Sequence, residues 1–205
     1  MSTSSAHGQL VVVSGPSGVG KSTICRQVVE RLGATLSVSA TTRPQGAAEQ
    51  DGRDYYFLSQ DAFEQRIEDG AFLEYAEVFG HYYGTPREPV QRAVAAGRVV
   101  ILEIDVQGGL QVKDKWPAAR MVFILPPETD ELLKRIEARA RGEDEQARQK
   151  RLARAEAEIA TGKANYEHFV VNDVLDKAVQ DVIDIIQQTS DDRGQKTEQV
   201  NTERS

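Results

Sequence analysis

A single cysteine in 205 residues, Cys25, excludes an intrachain disulfide and any cluster of thiolate metal ligands. It falls inside a helical pattern, where a small core filler is the expected role. The three histidines, His7, His81 and His168, are scattered without ligand spacing, and no Ser-His-Asp arrangement accompanies them. No apolar run approaches the ~18 residues of a membrane span. Met1 to Gly8 is polar and lacks the apolar stretch of a secretory signal. Basic residues are in deficit, 25 Lys and Arg against 32 Asp and Glu, for a net charge of −7. That excludes a broad cationic face of the kind that neutralises nucleic-acid phosphates, so any phosphate chemistry must use local positive charge. The expectation is a soluble, cytoplasmic protein with neither nucleic acid nor membrane as partner; a homo-oligomer is left open. No internal repeat is evident, and 40% hydrophobic content over this length predicts one domain with a full core.

What is present begins with Ser14-Gly15-Pro16-Ser17-Gly18-Val19-Gly20-Lys21-Ser22-Thr23. The apolar run Leu10–Val13 precedes it, and a helical pattern with Ile24, Val28 and Leu32 on one face follows. This is the phosphate-cradling pattern G-x-x-x-x-G-K-[ST] in its strand-loop-helix setting. The glycines let successive backbone N–H groups turn toward an anion, and the helix adds its positive end. Lys21 is placed to reach the β/γ-phosphates, and Ser22 to hold Mg²⁺ through its hydroxyl. A nucleoside triphosphate, with Mg²⁺, is therefore the expected ligand of residues Gly15 to Thr23. A plain glycine-rich turn is the competing interpretation.

Continuous apolar runs at Leu10–Val13, Val99–Ile104, Met121–Leu125 and Phe169–Val171, with a short strand near Leu36–Val38, alternate with helical patterns. Such strands are buried on both faces, which predicts an α/β fold with a five-stranded parallel sheet of the P-loop NTPase type, helices on both sides, and ligands at the carboxyl ends of the strands. The expected division is a core of 9–38, 98–133 and 155–188, an insertion at 39–97, a lid at 134–154 and a disordered tail at 189–205. In the insertion, Asp54-Tyr55-Tyr56-Phe57 looks like a strand, and Ser59 caps a helix carrying Phe63 and Ile67 that ends at Asp69-Gly70. Ala71 to Phe79 alternates like a half-buried strand, and His81-Tyr82-Tyr83-Gly84 resembles a turn. Thr85 is then placed as N-cap, Pro86 at the first helical position and Glu88 in capping-box register.

Between Lys134 and Arg154 the sign of the chain reverses: Lys134, Arg135, Arg139, Arg141, Arg148, Lys150, Arg151 and Arg154 face only Glu137, Glu143, Asp144 and Glu145. A solvated helical face with i,i+4 ion pairs accounts for this pattern taken alone. Beside a triphosphate loop, the same cations suit a segment that closes over a transferring phosphoryl group.

The ordered series Gly15 to Thr23, Val38-Ser39-Ala40-Thr41-Thr42-Arg43, Gly52 to Phe57, Phe72-Leu73-Glu74-Tyr75-Ala76, Tyr82-Tyr83-Gly84-Thr85 and Ile101 to Gly108 resembles guanylate kinase over about Gln9 to Gln187. The resemblance implies transfer of the γ-phosphate of ATP to GMP and dGMP. It implies that Ser39, Arg43, Tyr55 and Tyr83 hold the GMP phosphate, that Glu74, Thr85 and Asp105 read guanine, and that Asn172-Asp173 edges the adenine pocket. Lys21, Arg43, Arg139 and Arg151 would act on the transferring group, with Arg135 a further match and Arg141 a near substitute. The chemistry agrees: guanine offers N1–H and its 2-amino group as adjacent donors, which a carboxylate such as Glu74 accepts together, whereas adenine would leave that carboxylate desolvated and unpaired. Thr85 can donate to guanine O6 or cap the helix, but not fully both. Packing with an exposed hydroxyl is the alternative use of the two tyrosines, and capping that of Asp105; Glu103, two residues earlier, could order a metal-bound water.

One departure stands out. The family pattern T-T-R-x-P-R-x-G-E has a second arginine, whereas this chain reads Thr41-Thr42-Arg43-Pro44-Gln45-Gly46-Ala47-Ala48-Glu49. The arginine position falls on Gly46, or on Gln45 with a one-residue slip, and Arg53 is the candidate replacement. Weaker GMP binding is expected. Two rival functions remain: a kinase of the same architecture acting on another phosphate ester such as ribose 1,5-bisphosphate, and an inactive guanylate-kinase-like module that binds phosphorylated protein segments. An intact loop with Lys21 and Ser22 speaks against the latter, and Glu74 with Thr85 against the former.

Overall fold

The computed structural model describes residues 8–78, 80–127 and 145–188. Five strands form a parallel sheet: β1 (Gln9–Ser14), β2 (Thr35–Leu36), β7 (Val99–Glu103), β8 (Arg120–Leu125) and β9 (His168–Val171), in the order β2-β7-β1-β8-β9. Residues in the central strands alternate between two covered faces, as parallel sheets require. Val11, Val13, Ile101, Val122 and Ile124 pack under α1 (Lys21–Leu32) and α6 (Leu175–Gln187). Leu10, Val12, Val100, Leu102, Met121 and Phe123 face the opposite side, under α3 (Arg87–Ala95), α4 (Val106–Lys115) and α5 (Glu145–Asn165). Each fully buried side chain of this size contributes about 1.5–3 kcal/mol. The sheet is therefore a rigid base for whatever its loops carry. No helix among the described residues is long and apolar enough to cross a membrane.

A second, mixed sheet is built from β3 (Ala40–Thr41), β4 (Tyr56–Phe57), β5 (Phe72–Val78) and β6 (His81–Pro86), in the order β4-β3-β6-β5. It has its own apolar centre, where Phe63 of α2 (Gln60–Glu68) stacks on Phe72 and Tyr82 at centroid distances of 4.4 and 5.3 Å. Ser59 caps α2, accepting from the Ala62 N–H at 3.2 Å. Gln111 of α4 fastens this sheet to the core, accepting from the Tyr75 N–H and donating to the Tyr75 carbonyl.

Three local expectations change. His81-Tyr82-Tyr83-Gly84 is strand, not turn, because it pairs with β5 along its length. Thr85 lies within that strand, which runs to Pro86, and does not cap the helix: Pro86 is the N-cap of α3 without a side-chain bond, and Glu88 pairs with Arg92 instead of closing a capping box. The boundary drawn at 154/155 falls inside one continuous helix, α5, in which Ala155 and Ile159 pack together. Arg135, Arg139 and Arg141, with most of the expected lid and the tail, lie outside the described residues.

Candidate active site

The triphosphate loop leaves β1 at its carboxyl end and enters α1 through Gly20, which adopts φ +99°. A Cβ there would lie 2.5 Å from the Asn172 amide nitrogen, so both backbone and space demand glycine. Helix α1 has no side-chain cap and no acidic residue in its first turn. Its leading N–H groups are thus uncontested by any carboxylate of that turn, and they open on a cavity of about 210 Å³ lined by Ser17, Gly18, Gly20, Lys21, Ser22 and Thr23. Val19 is fully buried beneath the loop, and the Pro16 carbonyl accepts its N–H. Lys21 curls over the loop, donating to the carbonyls of Gly15 and Pro16 at 2.5 and 3.2 Å. Burial lowers its pKa, opposed by Glu103 and Glu158.

Parallel register sets Glu103 beside Val13, at the end of the neighbouring strand. The Ser22 hydroxyl donates to Glu103 Oε1 at 2.5 Å. This pair of oxygen donors suits a hard divalent cation that keeps waters and shares phosphate oxygens. Two residues on, Asp105 caps α4 by accepting from the Gly108 N–H, and its other oxygen lies 3.9 Å from Arg154. The capping use and an exposed oxygen therefore coexist. Asn172, 7% exposed, donates to the Val19 carbonyl at 2.8 Å and so braces the loop. Asp173 accepts from the Val174 N–H.

Across from the loop, the second sheet presents Glu74, 6% exposed, with the Thr85 hydroxyl donating to it at 2.6 Å. Burial pushes the Glu74 carboxyl up to about 7, while the Thr85 hydrogen bond and Lys115 act to lower it and Asp105 to raise it. The approach to α4 depends on Gly108: a Cβ at that position would be 2.8 Å from Glu74 Oε2. Contacts thus run from Glu74 through Gly108 to Asp105, and from Glu103, two residues before Asp105, to Ser22.

Arg43 lies beside Tyr55, 5.5 Å from the ring centre, and Tyr55 meets Tyr83 edge-on at 6.1 Å. Burial raises the Tyr55 pKa, and Tyr83 adds to it. Ser39 is half-buried, its carbonyl accepting from the Tyr56 N–H. The guanidinium of Arg43 is held bidentately by Glu49, which raises the arginine's pKa and lowers that of the carboxylate. Arg53 does not reach in as a replacement: it pairs with Asp54. Arg151 is exposed on α5, one turn before Arg154.

Sequence reasoning missed Glu49, Gly108, Gln111 and Tyr166. Tyr166 donates to the Ser14 hydroxyl at 2.7 Å, and Ser14 to the Asp105 carbonyl, a buried brace under the loop. None of the four has a local signature except Glu49, which closes the T-T-R-x-P-R-x-G-E pattern and could have been paired with Arg43 on charge alone.

A larger cavity of about 680 Å³, between Phe72, Pro86, Pro89 and Arg92, contains none of these residues.

A family model described as guanylate kinase matches residues 7–189. A guanylate kinase of Gloeobacter violaceus is 53% identical over 176 residues, covering 85% of this chain and 84% of the relative. That of Thermosynechococcus vestitus is 51% identical over 174 residues, 84% and 90% of the two chains. One of Thermus thermophilus is 48% identical over 180, or 88% and 81%. The crystal structure of guanylate kinase from Anaplasma phagocytophilum superposes with a TM-score of 0.71 at 30% identity, covering 90% of this chain and 89% of that one. The chain belongs to the guanylate kinase family.

Proposed function

We propose that this guanylate kinase transfers the γ-phosphate of ATP to GMP by in-line attack of a GMP phosphate oxygen, with ATP on the Gly15–Thr23 loop and GMP against the second sheet. An ionised phosphate is already nucleophilic and needs no general base. Catalysis then consists of holding two polyanions in line and neutralising the charge between them. Lys21 serves the β/γ-phosphates, and Arg43 with Tyr55, Tyr83 and Ser39 the acceptor phosphate. Arg139 and Arg151 are assigned to the transferring group. Mg²⁺ fits the donor set of the Ser22 hydroxyl and Glu103 carboxylate; when bound it supplies positive charge against the phosphate oxygens.

The observation that carries this reading is the buried Glu74–Thr85 pair, joined through Gly108 and Asp105 to the loop side of the molecule. A carboxylate that is 6% exposed and has Thr85 as its hydrogen-bonded side-chain partner is suited to two adjacent N–H donors. Guanine supplies them; adenine, uracil and a bare sugar do not. The alternatives, another phosphate ester or a non-catalytic module, have no support from the comparisons.

The test is coupled ADP release with ATP and, in turn, GMP, dGMP, AMP, UMP and ribose 1,5-bisphosphate. Turnover confined to GMP and dGMP is expected. Comparable turnover of AMP would overturn the role of Glu74.

A further inference from the structure

The segment Arg43–Glu49 folds a carboxylate onto the one arginine assigned to the acceptor phosphate. Glu49 Oε1 accepts from one terminal nitrogen of Arg43 at 2.7 Å and Oε2 from the other at 3.1 Å; Oε2 also accepts the Gly46 N–H at 2.7 Å. The side chains are 31% and 26% exposed. The carboxylate is anchored by its own turn, since the Glu49 N–H donates to the Gly46 carbonyl and Gln45 donates to the Glu49 carbonyl. A guanidinium fork, a backbone N–H and two nearby phenols are also what a phosphate monoester requires. Two oxygens of a phosphate and two of a carboxylate cannot take the same pair of N–H groups together.

We propose that Glu49 is an internal competitor for the acceptor phosphate: it occupies the edge of Arg43 formed by its two terminal nitrogens and must swing off before GMP is held on that edge, so this one carboxylate tunes GMP affinity. The proposal rests on the assignment of Arg43 to that phosphate. The neighbouring positions explain why the competition is unrelieved in this chain. Position 46 is glycine, which offers Glu49 an N–H but no side chain. Arg53, the candidate replacement cation, is engaged by Asp54, whose carboxylate also accepts the Gln50 N–H at 2.8 Å. A displaced Glu49 therefore stands uncompensated beside an incoming dianion, and like charges a few ångströms apart repel.

The experiment uses the full chain with Glu49→Gln, Gly46→Arg and Arg43→Gln, measuring KM for GMP, KM for ATP, kcat, and competitive inhibition by guanosine, which has the base but no phosphate. Glu49→Gln should lower KM for GMP about two- to fivefold, the scale of a partly exposed ion pair. Its kcat, KM for ATP and guanosine inhibition should not move. Gly46→Arg, with Glu49 intact, should also lower KM for GMP, because a second guanidinium can hold the carboxylate; a Cβ at position 46 would approach only the movable end of Glu49, at 2.9 Å. An unchanged or raised KM in Glu49→Gln, while Arg43→Gln raises it, would show that Glu49 positions Arg43 and would overturn the proposal. If Arg43→Gln itself leaves KM for GMP unaltered, the phosphate assignment fails and the competitor falls with it.

Discussion

The donor and acceptor sides of the crevice are built in opposite ways. On the donor side, Gly15 to Thr23 contains nearly everything it needs: the turn, the uncapped helix start and a lysine that bonds carbonyls five and six residues away. On the acceptor side, Arg43 is held locally by Glu49, but the surroundings of Glu74 depend on distant groups. Thr85 reaches Glu74 from 11 positions away, Gln111 ties Tyr75 across 36, and Gly108 of α4 makes room for a carboxylate on the second sheet. A contiguous cradle keeps its geometry through local backbone constraints, whereas a dispersed pocket keeps it only while two sheets stay docked. Changes to the first should therefore damage turnover, and changes to the second should damage selection.

The largest effect is expected for Lys21→Ala, which removes the cation assigned to the transferring phosphates. A loss of about 10²–10³ in kcat is expected, with KM for GMP nearly unchanged, by steady-state assay. A large rise in KM for GMP would erase the contrast between the two sides. Next is Glu74→Gln, which cannot accept both guanine donors as a carboxylate does. Its kcat/KM for GMP should fall roughly ten- to a hundredfold with KM for ATP constant.

The third prediction concerns pH. The Glu74 carboxyl sits at about 7, raised from 4.5 chiefly by burial, so it is mostly protonated at pH 6 and mostly ionised at pH 8. Guanine recognition needs the ionised form, so KM for GMP should fall with rising pH by up to about tenfold over that range. The phosphate of GMP titrates near 6 as well, so the comparison is with Glu74→Gln, in which the part due to Glu74 disappears. A pH profile identical in both proteins would remove Glu74 from the pocket. Smallest is Thr85→Val, which deletes the hydroxyl at nearly constant volume. A rise of about three- to tenfold in KM for GMP is expected. Because Pro86 and not Thr85 caps α3, the melting temperature should not drop as it would on losing an N-cap.

The parallel sheet was legible because strands buried on both faces must be apolar throughout, and Leu10–Val13 and Met121–Leu125 are. The short strands of the insertion were harder. His81-Tyr82-Tyr83-Gly84 ends in a turn-favouring glycine, yet pairing with β5 overrides that preference. Thr85 and Pro86 carry a helix-start signature, but the hydroxyl is drawn to Glu74, where a buried carboxylate gains more from a donor than an exposed helix end gains from a cap. Arg53 looked like a spare cation until its neighbour Asp54 claimed it.

By itself the sequence determined the cradle, the parallel core and the residue types of the acceptor pocket, since these rest on local backbone chemistry and on hydrophobic periodicity. Tertiary structure alone decided the long-range contacts, with Thr85 on Glu74 and Gln111 on Tyr75, and it set Asn172 against the Val19 carbonyl on the donor side. The physical reason is that a hydrogen bond or ion pair is chosen among competing partners by distance and burial, and neither is set until the strands and helices that carry those partners have come together.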